Sequence, residues 1–224
     1  MPRNVRLSLG AVVLLLNAVQ WVAAEAVAAA AWTAPPYSYA ANYISDLGVP
    51  DCGALFQGRE LCSPLHPLMN TSFALEGILF ATGVVLLSCL ATGRARRVFV
   101  ALAVAHGVAM VLVGLFHGSA DGPDYTLFIH GGAAAVGILC ANTVAILSGA
   151  LRSLGAPPAY RAFSIGVGVL GLLSETFVGA SASTAGLFER GGVYSWLLWS
   201  AVTGTLLLAG HPRRRPATAD SVPA

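Results

Sequence analysis

The sequence predicts an all-α polytopic membrane protein, a six-transmembrane-helix bundle with both termini in the cytoplasm, on three observations. Of 224 residues 56% are hydrophobic and 10% charged, where a soluble domain carries about a quarter charged residues. The apolar residues gather in runs of roughly 20, the length that crosses about 30 Å of hydrocarbon at 1.5 Å per residue. The 12 basic residues, all arginine, also sort by loop. Arg3, Arg6, Arg94, Arg96, Arg97, Arg152, Arg161, Arg213, Arg214 and Arg215 fall on one side, and only Arg59 and Arg190 on the other. Loops rich in arginine stay in the cytoplasm, so this asymmetry orients the chain.

The spans are expected at 8–31, 67–91, 98–117, 129–150, 162–184 and 194–210, in a single membrane domain over 1–211. Arg3 and Arg6 followed by a long apolar run ending near Ala-Val-Ala also fit a secretory signal. A signal core is about 7–15 residues long, however, and this run is longer, so an uncleaved first helix is expected. Arginine clusters at 94–97, at 152 and 161, and at 213–215 mark alternate ends of the spans. The tail 212–224, rich in Pro and Ala, is expected to be disordered and cytoplasmic. Glycines such as Gly77, Gly83, Gly137 and Gly168 leave small surfaces through which helices pack closely in lipid. No internal repeat of the kind that builds inverted-repeat transporters is evident.

The net charge of +2 is a topology signal. It does not point to nucleic acid, because no basic run is interleaved with aromatics. Cys89 and Cys140 lie in apolar runs as packing residues. Cys52 and Cys62 share the first Arg-poor loop, where a disulfide is expected if that loop is extracytoplasmic.

Polar residues concentrate on the Arg-poor side. The first loop carries Tyr37-Ser38-Tyr39-Ala40-Ala41-Asn42-Tyr43-Ile44-Ser45-Asp46-Leu47-Gly48. Its short polar side chains can bond backbone and hold a turn, with Gly48 free to take unusual dihedrals. Asp46 is equally a candidate acid, base or metal ligand, with Ser45 beside it. His66 and Asn70 open the second span one helical turn apart, on one face. His117 closes the third span and His130 opens the fourth. Three histidines from three helix ends, with a water, would suit a catalytic zinc. No His-x-x-x-His or His-Glu-x-x-His pair fixes two of them on one helix. His106, about 16 Å along the helix from His117, lies too far away to share that metal, and His211 falls on the cytoplasmic side. Glu189 and Arg190 sit side by side between spans five and six, where Arg190 can neutralise Glu189 or Asp46, or receive a lipid phosphate.

Inside the spans, Glu25, Glu76, Glu175 and Asn142 need partners, since ionisable groups at membrane depth face the bundle interior. They serve as hydrogen-bonded structure, a polar cavity or a proton relay.

The strings YSYAANYISDLG, SPLHPLMN and GLFERGGVYSWLLW, with HGGAAAVGILCANTVAI in the fourth span, resemble the bacterial and archaeal membrane family called domain of unknown function 998. The resemblance covers nearly the whole chain in order. It implies a six-helix integral protein of the plasma membrane and no established activity. Its polar motifs fall on Asn42, Ser45, Asp46, His66, Asn70, His130, Asn142, Glu189 and Arg190. The loop 50–62 elaborates on that pattern, and His117 lies at a position where variation is expected.

Three functions remain open. One is an enzyme on lipid at the outer leaflet, a metal-assisted hydrolase with Ser45 and Asp46 catalytic, His66, His117 and His130 as zinc ligands, and Asn42, Asn70, Glu189 and Arg190 in the polar cluster. The second is a non-catalytic lipid-binding protein or a scaffold for membrane proteins, in which the same residues lock the loops. The third is a proton-coupled transporter using Glu76, Glu175 and His106. Besides the bilayer, and a lipid in the first two cases, no partner or oligomeric state is legible.

Overall fold

The structure is a computed structural model describing residues 1–56, 59–118 and 124–210. The described residues form six helices: α1 (Arg3–Ala31), α2 (His66–Leu87), α3 (Gly93–Leu115), α4 (Asp124–Ala150), α5 (Pro158–Glu175) and α6 (Ala185–Ala209). Sequence neighbours pack against one another and α6 closes the ring against α1. Five of the six, all but α5, are long and apolar enough to cross a membrane. The only sheet among the described residues is a hairpin, β1 (Ala54–Phe56) antiparallel to β2 (Arg59–Leu61). It sits in the α1–α2 connection. The expected tail and His211 lie outside the described residues.

The expected fifth and sixth spans need correction. α5 stops at Glu175 rather than continuing to 184, and α6 begins at Ala185 rather than 194. Residues 176–184 carry Thr, Ser and a glycine at positive φ, Gly179 (φ 89°). Their hydroxyls bond locally, Thr176 Oγ1 to the Leu173 carbonyl at 2.7 Å and Ser181 to Ser183 at 2.9 Å, in competition with helix continuation. Gly191 and Gly192 do not break α6. Glu189 and Arg190, expected in a loop, are therefore helical and turned inward.

Close backbone approach holds the bundle, as lipid offers little hydrophobic drive between helices. α2 and α3 meet where Gly77 faces Gly107, and a Cβ on Gly77 would lie 2.7 Å from the Gly107 carbonyl oxygen. Not every glycine packs this way. Gly131, Gly132 and Gly166 have nothing within 4 Å of such a Cβ. The core between the helices is aromatic, with Trp21 5.2 Å from Phe73 and 6.4 Å from Trp196 between ring centroids.

Gly77→Val should lower stability in detergent by about 1–3 kcal/mol through overpacking. Gly131→Ala, made into open space within a helix, should leave the melting curve unchanged or slightly raised. Thermal unfolding of the two purified variants checks the contrast.

Candidate functional site

Two polar centres occupy the bundle. The first lies where the α1–α2 connection folds over the Arg-poor end. Arg190, nearly buried, projects from the first turns of α6 and uses its guanidinium as a branching donor. Nε donates to Glu25 Oε1 of α1 at 2.9 Å. Nη1 donates to the carbonyls of Tyr39 (2.6 Å), Asn42 (2.9 Å) and Gly186 (3.0 Å), and Nη2 to the Tyr37 hydroxyl at 2.5 Å. The guanidinium also lies 4.8 Å from the Tyr39 ring centroid, a cation–π contact. The second Glu25 oxygen accepts from Tyr194 OH (3.0 Å) and Trp21 Nε1 (3.3 Å). A buried charge needs both an opposite charge and full hydrogen bonding, and this pair has them.

Burial pushes the Tyr37 phenol well above its ordinary range, with Arg190 pulling partly the other way. Tyr37 therefore stays neutral, accepting from Arg190 and donating to the Tyr43 carbonyl at 2.8 Å. Burial likewise raises Tyr43, against the pull of Arg59.

Asp46 lies in the 3-10 turn Ser45–Gly48 and is also buried. Its Oδ2 accepts from Arg59 Nε (2.9 Å), Tyr43 N (3.0 Å) and Asn42 Nδ2 (3.3 Å), and its Oδ1 from Arg59 Nη2 (3.3 Å). Arg59 stands on β2, and the disulfide Cys52–Cys62 closes that hairpin. Ile44 N donates to Glu189 Oε2, Ser63 Oγ to the Leu47 carbonyl (2.6 Å) and Asn70 Nδ2 to the Gly48 carbonyl (2.8 Å). At Gly186, a side chain would collide with the Asn42 carbonyl. The expectation that Arg190 neutralises Glu189 or Asp46 is thus corrected, because Arg190 takes Glu25 and Asp46 takes Arg59. The missed partners had one signal: Arg59 and Arg190 are the two lone cations on a side rich in acids.

The three histidines do not assemble. Among the described residues no group of three or more His, Cys, Asp and Glu side chains could hold a metal ion. His66 is half-buried at the start of α2. His117 Nδ1 lies 3.2 Å from the Gly118 carbonyl oxygen. His130 Nδ1 donates to the Phe116 carbonyl at 2.8 Å, pinning α4 to the end of α3. Ser45, His130 and Glu189 line a cavity of about 30 Å³, room for about one water.

The second centre lies deep in the bundle. Glu76 Oε1 accepts from Asn17 Nδ2 (3.2 Å) and Trp196 Nε1 (3.0 Å), and Oε2 meets His106 Nε2 at 2.9 Å. His106 Nδ1 donates to the Gly137 carbonyl (2.9 Å), so Nε2 and the carboxyl share a single proton and the pair is neutral overall. One carboxyl thereby joins α1, α2, α3 and α6, and through His106 also α4. Asn142 Nδ2 bonds Ile138 O (3.0 Å) and Gly192 O (3.1 Å), tying α4 to α6. Glu175, half-buried at the end of α5, has an oxygen without a described partner.

A larger space opens at the opposite, arginine-bearing end. This cavity, about 450 Å³, is lined by Val84, Leu87, Phe99, Val144, Trp199 and Leu207 among others, and by the α4–α5 connection at 154–157. Its size falls within the usual range of ligand pockets, about 300–1,000 Å³. Exposed Gly155, Pro157 and Leu206 are part of its wall, so it reaches the protein surface. Its polar wall atoms are already engaged. Ser88 Oγ donates to Val85 O (2.7 Å), Ser148 Oγ to Ala145 O (2.7 Å), Trp199 Nε1 to Ser148 Oγ (2.9 Å), and Tyr160 pairs with Thr203 (2.9 Å).

Five helices long and apolar enough to cross a membrane, packed in a ring, are consistent with a multi-pass helical membrane protein. The chain belongs to the family described as protein of unknown function DUF998, which matches residues 9–206. No curated protein and no solved structure matches it.

Asp46→Asn weakens the pairing of buried Arg59 and should cost about 3 kcal/mol, or roughly 6–12 °C in Tm. His66→Ala, outside the network, should cost under about 0.5 kcal/mol. Differential scanning fluorimetry of both variants in one detergent gives the comparison.

Proposed function

We propose that this is a plasma-membrane protein with six crossings and cytoplasmic termini, which holds a lipid-like apolar ligand within the bundle without chemically converting it. The observation that carries this is the roughly 450 Å³ apolar cavity at the arginine-bearing end. The polar cluster at the other end supports a latch: Asp46, Arg59, Glu25 and Arg190 each have charged partners, and the adjoining space suits about one water rather than a lipid ester. These features favour binding over the hydrolase in which Ser45 and Asp46 act with zinc on His66, His117 and His130. The transporter reading draws little support, because neither Glu76 nor His106 lines either cavity.

The sixth crossing rests on α5. Its 18 residues span about 27 Å. At its start Arg161 Nε bonds Gly149 O of α4 at 2.8 Å, and at its end Glu175 abuts Gly192 of α6. A helix that joins the end of α4 to the start of α6 in this way fits a transmembrane path. The arginine asymmetry supports cytoplasmic termini.

Protein purified in mild detergent should retain about one lipid-like molecule per chain, measured by mass spectrometry of an organic extract. Val144→Trp, which projects an indole into the cavity, should reduce that amount severalfold while the protein stays folded. Equal retention by a folded Val144→Trp protein would overturn the cavity reading, and lipid hydrolysis abolished by Ser45→Ala would restore the enzyme.

A further inference from the structure

Building on the cavity reading, we propose that the ligand is an anionic phospholipid of the arginine-bearing leaflet, with an acyl chain in the cavity and its phosphate held by Arg152 and Arg161. Three observations converge on this class. First, the wall is mostly apolar and each of its polar side chains already has a hydrogen-bond partner, so the interior favours hydrocarbon over a headgroup. The headgroup must stay at the mouth.

Second, the mouth is basic. Arg152 is exposed and lies two residues before Leu154, which lines the cavity. Arg161 follows Tyr160, another lining residue, one helical turn after Pro157. Its Nε is anchored on Gly149 O, which fixes the guanidinium plane and leaves the terminal nitrogens without a described partner. Arg94, Arg96 and Arg97, all exposed, stand at the start of α3, just before Phe99 in the cavity wall.

Third, among the described residues no carboxylate competes. The ion pairs among the described residues are Asp46–Arg59, Glu76–His106 and Glu25–Arg190, none of them at this end. A guanidinium matches a phosphate geometrically and stays charged at every relevant pH. A cationic amphiphile would meet uncompensated repulsion. The same arginines set the topology, and they also draw anionic lipid to this leaflet.

Trp199 borders the cavity and reports its occupant. The purified full chain is titrated with acyl-brominated phosphatidylglycerol or phosphatidylcholine of identical chains, with Trp199→Phe subtracted to isolate that residue's quenching. Half-quenching of Trp199 is expected at a roughly 25-fold lower mole fraction of phosphatidylglycerol, about fivefold for each of the two arginines. Arg152→Gln should erase about fivefold of that preference, as should Arg161→Gln, at roughly one electrostatic contact each. Phosphatidylcholine, whose choline offsets the charge of its phosphate, should lose less than phosphatidylglycerol in either variant. Because Arg161 also ties α5 to α4, the exposed Arg152 provides the variant that is not expected to perturb folding.

Equal quenching of Trp199 by both lipids would overturn the anionic-lipid inference and leave the cavity reading intact. A preference for phosphatidylglycerol that survives Arg152→Gln and Arg161→Gln, each folded, would overturn the assigned phosphate site. Absence of any Trp199-specific quenching would overturn the cavity reading itself.

Discussion

The ion pair between Arg190 and Glu25 sets the terms for the end of the molecule where most polar residues gather. Placing a guanidinium and a carboxylate inside a membrane bundle is costly, and the cost is offset only when geometry and hydrogen bonding are both complete. Arg190 meets that condition by collecting carbonyls of Tyr39 and Asn42 and the hydroxyl of Tyr37. The connection between α1 and α2 is therefore folded onto α6 through one side chain. Gly186 permits the close approach of that connection. Asp46 and Arg59 extend the same arrangement to the disulfide-closed hairpin.

Deeper in the bundle the Glu76–His106 pair applies the same logic. Its single shared proton, together with donors from Asn17 and Trp196, fixes the relative positions of five helices. Phe80 stacks 4.3 Å from His106 and 6.1 Å from Trp199 between ring centroids, continuing the packed core to the edge of the large cavity. Polar residues thus rigidify the middle and the Arg-poor end. The opposite end is left apolar and hollow, bordered by arginines, which is the arrangement expected of a site for an amphiphile.

The helical membrane architecture was legible because length, hydropathy and arginine placement depend only on local sequence. The boundaries of α5 and α6 were not. Ser181, Ser183 and Thr184 end one apolar run gradually, and the Gly191-Gly192 pair reads as a break although Arg190 and Glu189 are anchored within a helix. The polar motifs were also legible as a set: Asn42, Asp46, Asn70, Glu189 and Arg190 do meet around one loop. Their pairing was hidden, since which carboxylate Arg190 selects depends on Glu25 lying 165 residues away in sequence. The zinc expectation met the same obstacle, because residues from three helices can share one end of the bundle without sharing a point. The cavity left no sequence signal, as its walls are ordinary apolar positions on α2 through α6.

The most direct test of the claim that these polar residues are committed to structure is a double-mutant cycle on Glu25→Gln and Arg190→Gln, with unfolding free energies measured in detergent. Each single change strands a buried partner, so a coupling energy of about 2 kcal/mol or more is expected, with the double variant losing less than the two singles combined. Additivity within about 0.5 kcal/mol would contradict the account, because it would mean that Arg190 and Glu25 do not depend on one another.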